Sequence, residues 1–112
     1  MAIFYHMLPA AIWQSHPADR PYISDTLATE GFTHCTAEVE MLPVVANRYY
    51  QSLPGDFVLL CIDEAKVQPE VKWEAASGHL FPHIYGPLNR DAILEVIPFP
   101  RLADGSFCEP EQ

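Results

Sequence analysis

Apolar and polar residues follow two rhythms along this chain, one strand-like and one helical. Residues 2–8 are almost continuously apolar and stop at Pro9, which predicts a first strand. Pro9 suits the first turn of a short helix carrying Ala10, Ala11, Ile12 and Trp13. Pro17, Pro21 and Tyr22 predict a loop. Ser24 or Asp25 can then cap a single helical turn through Leu27 and Ala28, closed by Gly31. Residues 32–36 read as extended. With Thr36 as N-cap and Glu38 in the first turn, Val39, Leu42, Val45, Ala46 and Tyr49 recur at the spacing of a one-sided helix reaching Gln51. Pro43 falls inside that pattern, so the helix either starts nearer Pro43 or kinks there.

Pro54 and Gly55 turn the chain into residues 56–63 (DFVLLCID), the strongest strand signal, whose near-continuous apolar run predicts burial on both faces. Residues 71–75 predict another strand, Ser77–Gly78 a loop, residues 83–85 an extended piece and Gly86–Pro87 a turn. A final strand covers residues 92–99 (AILEVIPF), and Asp104–Gly105 marks a turn near the tail. No internal repeat, linker or low-complexity tract interrupts the series. Strand, helices, strand, helix and then several strands predict an α+β fold with a mostly antiparallel sheet.

The length of 112 residues fits one domain spanning the chain. A formal charge of −9 argues against nucleic-acid and anionic-membrane partners, although Arg20, Arg48, Arg90 and Arg101 leave room for a local basic pocket. Cys35, Cys61 and Cys108 are odd in number and lack CxxC spacing, which argues against disulfides. The first ten residues (MAIFYHMLPA) have no basic leader, and residues 57–62, the longest apolar run, fall far below the roughly 20 residues of a membrane span. A cytoplasmic location is the expectation.

Two segments carry side chains that a plain core does not need. In residues 30–36 (EGFTHCT), period-two geometry puts Phe32, His34 and Thr36 on one face, where an imidazole and a hydroxyl can meet one ligand. The competing reading is a strand histidine satisfied by a backbone carbonyl. Cys35 points to the opposite face from His34, which argues against a nucleophile–base pair. In residues 81–88 (FPHIYGPL), prolines stiffen the backbone around His83 and Tyr85, and Gly86 supplies a positive φ or lets a ligand approach. This is either a ligand wall or a rigid turn whose aromatics pack on the core. Trp73-Glu74 is a third candidate, with Glu74 as a general base or hydroxyl acceptor, or else a solvated carboxylate. His6, His34, Cys35 and His83 are metal-ligand types without ligand spacing, so no metal site is predicted.

His6 on the first strand, EGFTHCT, VANRYY, LLCID, KWE, FPHIYGPL and a late DG-x-F (Asp104, Gly105, Phe107) together resemble the small bacterial family called domain of unknown function 952, over nearly the whole chain. Thr33 replaces the family's usual aliphatic residue and Thr36 its serine. The resemblance implies an ADP-ribosyltransferase-like fold, a small split, mostly antiparallel sheet with two or three helices. The first half is also similar to the RNA 2′-phosphotransferase branch, whose corresponding positions bind the nicotinamide and ribose portion of NAD. So carried over, His6 bonds a ribose hydroxyl, Thr36 supports it, His34 lines the pocket and Tyr85 stacks on a planar ring, with Glu74 as the only candidate for a catalytic carboxylate. Trp73, His83 and Gly86 complete the candidate ligand-binding set. The basic residues with which that branch holds phosphorylated RNA form no motif here. The expected function is therefore binding of a small molecule such as NAD or a nucleotide. The alternatives are an NAD-dependent transferase or glycohydrolase and a non-catalytic interaction module.

Overall fold

The computed structural model describes residues 2–110. Two antiparallel three-stranded sheets make up the α+β fold, with strand orders β1-β3-β6 and β2-β5-β4. The first contains β1 (Ile3–Pro9), β3 (Phe57–Asp63) and β6 (Ile93–Phe99), and the second β2 (Thr33–His34), β5 (His79–Tyr85) and β4 (Glu70–Ala76). Three α-helices accompany them, α1 (Ala10–Ser15), α2 (Asp25–Glu30) and α3 (Met41–Tyr49). Continuous apolar sequence puts β3 in the middle of its sheet, with the cluster of Phe4, Leu8, Leu60, Ile62, Ile84 and Leu88 on one side and that of Met7, Leu42, Ala46, Phe57, Leu59 and Phe107 on the other. The first cluster lies between the sheets and takes in Ile84 from the second one and Cys35 just beyond β2.

Among the described residues one bridge, Tyr5 to Thr36, joins the two sheets through a pair of 2.8 Å backbone hydrogen bonds. That use of Thr36 corrects one expectation. Helix α3 begins at Met41, not after Thr36, and has no side-chain cap. Pro43 then falls in the first helical turn, where an absent amide costs nothing, and the helix starts near it without a kink. The hairpin between β4 and β5 turns on Ser77 and Gly78, both at positive φ (52° and 82°), the conformation of a two-residue hairpin turn.

Residues 81–88 also differ from a proline-stiffened loop. Residues 79–85 form the central strand of the second sheet despite Pro82. The proline is tolerated because its nitrogen faces the short strand β2, which receives only its carbonyl, bonded to the Cys35 amide at 3.1 Å. Gly86 does not have a positive φ, and a Cβ there would stand 2.9 Å from Pro69, so its role is close approach to another turn.

Helix α2 follows the sequence closely and extends to six residues. Ser24 accepts from the Leu27 amide, and Gly31 ends the helix at φ 88°. The buried Ser24 hydroxyl also bonds Thr33 at 2.7 Å, tying the start of α2 to β2. Replacing Ser24 with Ala removes the cap and leaves the Thr33 hydroxyl without its partner, and is expected to cost about 2 kcal/mol in urea unfolding.

Candidate functional site

The outer face of the second sheet gathers four of the eight candidate residues, His34, Glu74, His83 and Tyr85. His34 lies opposite His83, and His83 opposite Lys72. Because the neighbouring residues Cys35 and Pro82 are hydrogen-bonded to each other, His34 and His83 form a non-hydrogen-bonded pair, the type that brings side chains closer. Their rings lie 5.1 Å apart and edge-on. Phe32 stacks on His83 at 4.2 Å with 21° between the planes, and its ring is 4.7 Å from His34 and 5.1 Å from Tyr85.

Glu74 projects from β4 onto this face. Its Oε1 accepts from His83 Nδ1 at 2.8 Å and from the Tyr85 hydroxyl at 2.5 Å. The Tyr85 bond, and then the His83 bond, hold the Glu74 carboxyl below the usual carboxylate range, so it is ionised at neutral pH. The same contact raises the Tyr85 phenol. Lys72 places its ammonium 4.7 Å over the Tyr85 ring. At the other edge, His34 Nε2 meets Glu30 at 3.2 Å. Farther along β5, His79 Nδ1 bonds Glu38 at 2.9 Å.

His6 occupies a different setting. It is 8% exposed and lies among the apolar residues between the sheets. Its Nδ1 is 2.7 Å from the His34 carbonyl, which can only accept, so Nδ1 carries the proton and Nε2 accepts from the Tyr22 hydroxyl at 2.8 Å. Burial lowers its pKa to about 4, against the raising effect of the carbonyl bond. Burial, and then the charge of Asp25, raise the Tyr22 phenol. His6 is thus neutral and fully bonded within the protein. It touches the outer face only through the His34 backbone.

The remaining candidates stand apart from the cluster. Trp73 points to the other side of β4, edge-on to Phe4 at 6.1 Å, and donates its indole N–H to Glu64 at 2.9 Å. Thr36 is buried at the inter-sheet bridge, and Gly86 packs on Pro69. Cys35 is buried and its thiol pKa raised by that burial, which deprives it of thiolate character. The arginines do not gather. Arg90 clasps the carbonyls of Pro17 and Arg20 and covers Trp13, whereas Arg101 clasps those of Gln51, Gly55 and Gly105. No group of three His, Cys, Asp or Glu among the described residues is placed to hold a metal ion, and no helix among them is long and apolar enough to cross a membrane.

Sequence reasoning missed Tyr22 and the parts played by Glu30 and Phe32. Glu30 had a readable signal, four residues before His34. Tyr22 had none, since it lies in a proline-rich loop. A surface depression of about 510 Å³ between Ala10, Asp56, Val58 and the β6 residues Val96–Phe99 lies away from all of these groups. It holds no histidine or nucleophile, so the site is assigned by its chemistry, on an open face.

The family model described as "Protein of unknown function (DUF952)" matches residues 7–96. The chain belongs to the DUF952 family. The matched span of this DUF952 chain includes Glu30, His34, Glu74, His83 and Tyr85, and starts one residue after His6. Its fold is shared with protein CC0527 from Caulobacter crescentus. The crystal structure of CC0527 is 27% identical, with a TM-score of 0.80 over 95% of this chain and 93% of that one. The CC0527 solution structure is 28% identical, with a TM-score of 0.73 over 95% and 91%. No curated protein matches the chain.

Proposed function

We propose that this DUF952 protein binds a small nucleotide-like molecule such as NAD on the outer face of the β2-β5-β4 sheet, within an ADP-ribosyltransferase-like fold. The observation that carries the reading is the convergence of His83 and Tyr85 on one oxygen of Glu74, beside a stacked aromatic surface. With Oε1 occupied, Oε2 of an ionised carboxylate remains for donors such as a ribose diol. Phe32, His34 and Tyr85 offer faces to a planar ring, and the carboxylates of Glu30 and Glu74 favour a cationic one. Lys72 is a partner for one phosphate. The division into two three-stranded sheets supports the superfamily reading. In one respect the residues depart from it. Both His6 nitrogens are committed internally, so a ligand feels His6 only through His34 and Tyr22.

Thermal-shift titration with NAD, ADP-ribose and nicotinamide mononucleotide tests this reading. A ligand at a hundred times its Kd adds about 2.7 kcal/mol, which is several degrees for a domain of this size. The shift is expected in wild type and should shrink in Glu74→Gln. No shift with any of the three at millimolar concentration would favour the interaction-module alternative. The transferase or glycohydrolase alternative draws support from one observation, that Glu74 is held ionised where an oxocarbenium-like centre would need charge stabilisation.

A further inference from the structure

Of the three histidines on the outer face, His83 alone is packed as a working base. All three are paired with glutamates, but the side chains of His34 and His79 are 48% and 37% exposed, against 13% for His83. Phe32 lies flat against its ring, and Glu74, itself anchored by Tyr85, fixes its Nδ1. A carboxylate only accepts, so the proton is on Nδ1 and the Nε2 lone pair points away from Glu74. Among the described residues His83 Nε2 has no partner, and they contain no side-chain polar atom both sealed from solvent and unbonded, so Nε2 is open to water. A rigid imidazole with a carboxylate behind it and an open nitrogen in front is the arrangement of a general base.

We propose that His83 is a catalytic residue, a general base that activates water against the ligand bound on this face, so that the site is hydrolytic. This rests on the binding reading above. As water attacks the anomeric carbon of a bound N-riboside, its proton passes to His83 Nε2 and the new C–O bond forms. The C–N bond breaks, and its electron pair leaves with the departing ring. The hydrogen-bonding also limits the substrate. Tyr85 donates its hydroxyl into Glu74, and His34 its ring N–H toward Glu30, so neither offers a proton to a leaving group. The departing ring must already be cationic and become neutral as it leaves.

Nicotinamide mononucleotide is the probe, with binding read by thermal shift and nicotinamide release by chromatography between pH 5 and 8. Wild type is expected to bind and to release nicotinamide faster as pH rises. His83→Asn keeps an amide donor for Glu74 but has no basic nitrogen. It should lower kcat by about 100-fold or more, change KM by less than about fivefold and flatten the pH profile. Glu74→Gln should lower kcat as well, through loss of the fixed tautomer. A His83→Asn variant that keeps the wild-type kcat overturns the proposal. Binding to wild type without release overturns it too, and leaves the binding reading standing. If the probe neither binds nor is cleaved, the hydrolytic proposal falls, and the binding reading falls with it only when NAD and ADP-ribose also give no shift.

Discussion

Acidification from pH 7 to pH 4 is expected to cost the fold about 3 kcal/mol through His6 alone. In the folded chain this imidazole is neutral, with a pKa lowered to about 4 by burial, whereas in the unfolded chain it returns to its ordinary value of 6.5. Between those limits the unfolded state binds the extra proton, so the stability present above pH 6.5 drains away as pH falls towards 4. The gap corresponds to about 3 kcal/mol at roughly 1.4 kcal/mol per pH step. A loss of that size lowers Tm by on the order of 10 °C in a domain of this length. Protonation would also turn Nε2 into a donor, so that the Tyr22 hydroxyl would have to turn from donating to accepting. Thermal unfolding of wild type and His6→Asn across this range isolates the contribution, since the exposed carboxylates titrate alike in both. The wild-type slope should be clearly steeper. Parallel slopes would mean that His6 does not drive the loss.

Phe57→Ala is expected to destabilise the protein by about 4 kcal/mol. Phe57 is 2% exposed and meets the rings of Tyr50 at 5.3 Å and Phe107 at 5.1 Å, with the Arg101 guanidinium 5.4 Å from its centroid. Truncation therefore opens a cavity where β3, the end of α3 and the C-terminal segment meet. That segment is pinned from the other side by the Arg101 clasp on Gln51, Gly55 and Gly105, so it cannot simply collapse inward. Loss of buried ring area plus a residual cavity is worth about 3 to 5 kcal/mol. Against a total of about 5 to 15 kcal/mol, the variant should sit near its folding limit. Phe57→Leu, which fills most of the volume, should lose less than half as much. Urea denaturation measures both, and a loss under about 2 kcal/mol for the alanine variant would mean that the site relaxes.

What could be read from the sequence follows the range of each interaction. Strand β3 was legible because a central strand is apolar at nearly every position, and α2 because a cap and a glycine close it within seven residues. The two-residue period puts Phe32, His34 and Thr36 on one face; the structure keeps Phe32 beside His34 but buries Thr36 at the bridge to Tyr5. Thr36 misled because a threonine before an amphipathic pattern is a good cap by local rules. Its backbone instead pairs with Tyr5, thirty-one positions away, which no local rule weighs. Proline hid β5 for a similar reason. Pro82 is compatible with a central strand only because its neighbour on that side is two residues long. The meeting of Glu74, His83 and Tyr85 depends on a hairpin whose pairing runs from Glu70 opposite Tyr85 to Ala76 opposite His79. Once Ser77 and Gly78 are seen as its turn, the contact follows. Nothing in the sequence announces Tyr22 as the partner of His6.

The strand order leaves β6 on the outside of its sheet, with consequences for how copies of this chain behave in a crowded solution. The Asp56–Ala10 hydrogen bond fixes which β3 residues face β1, and by alternation Leu59 and Cys61 bond inward to Ile97 and Glu95 of β6. The backbone of Val96 and the nitrogen of Pro98 therefore point away from the sheet. Val96 and Leu94 also leave apolar side chains partly exposed, which makes this edge the natural place for a stranger's strand to add. Pro98 has no amide to offer there, so the row of free donors is cut short after Val96. The net charge of −9 keeps like molecules apart before they reach that edge. One proline and a surplus of carboxylates thus protect an exposed apolar strand from amyloid-like stacking.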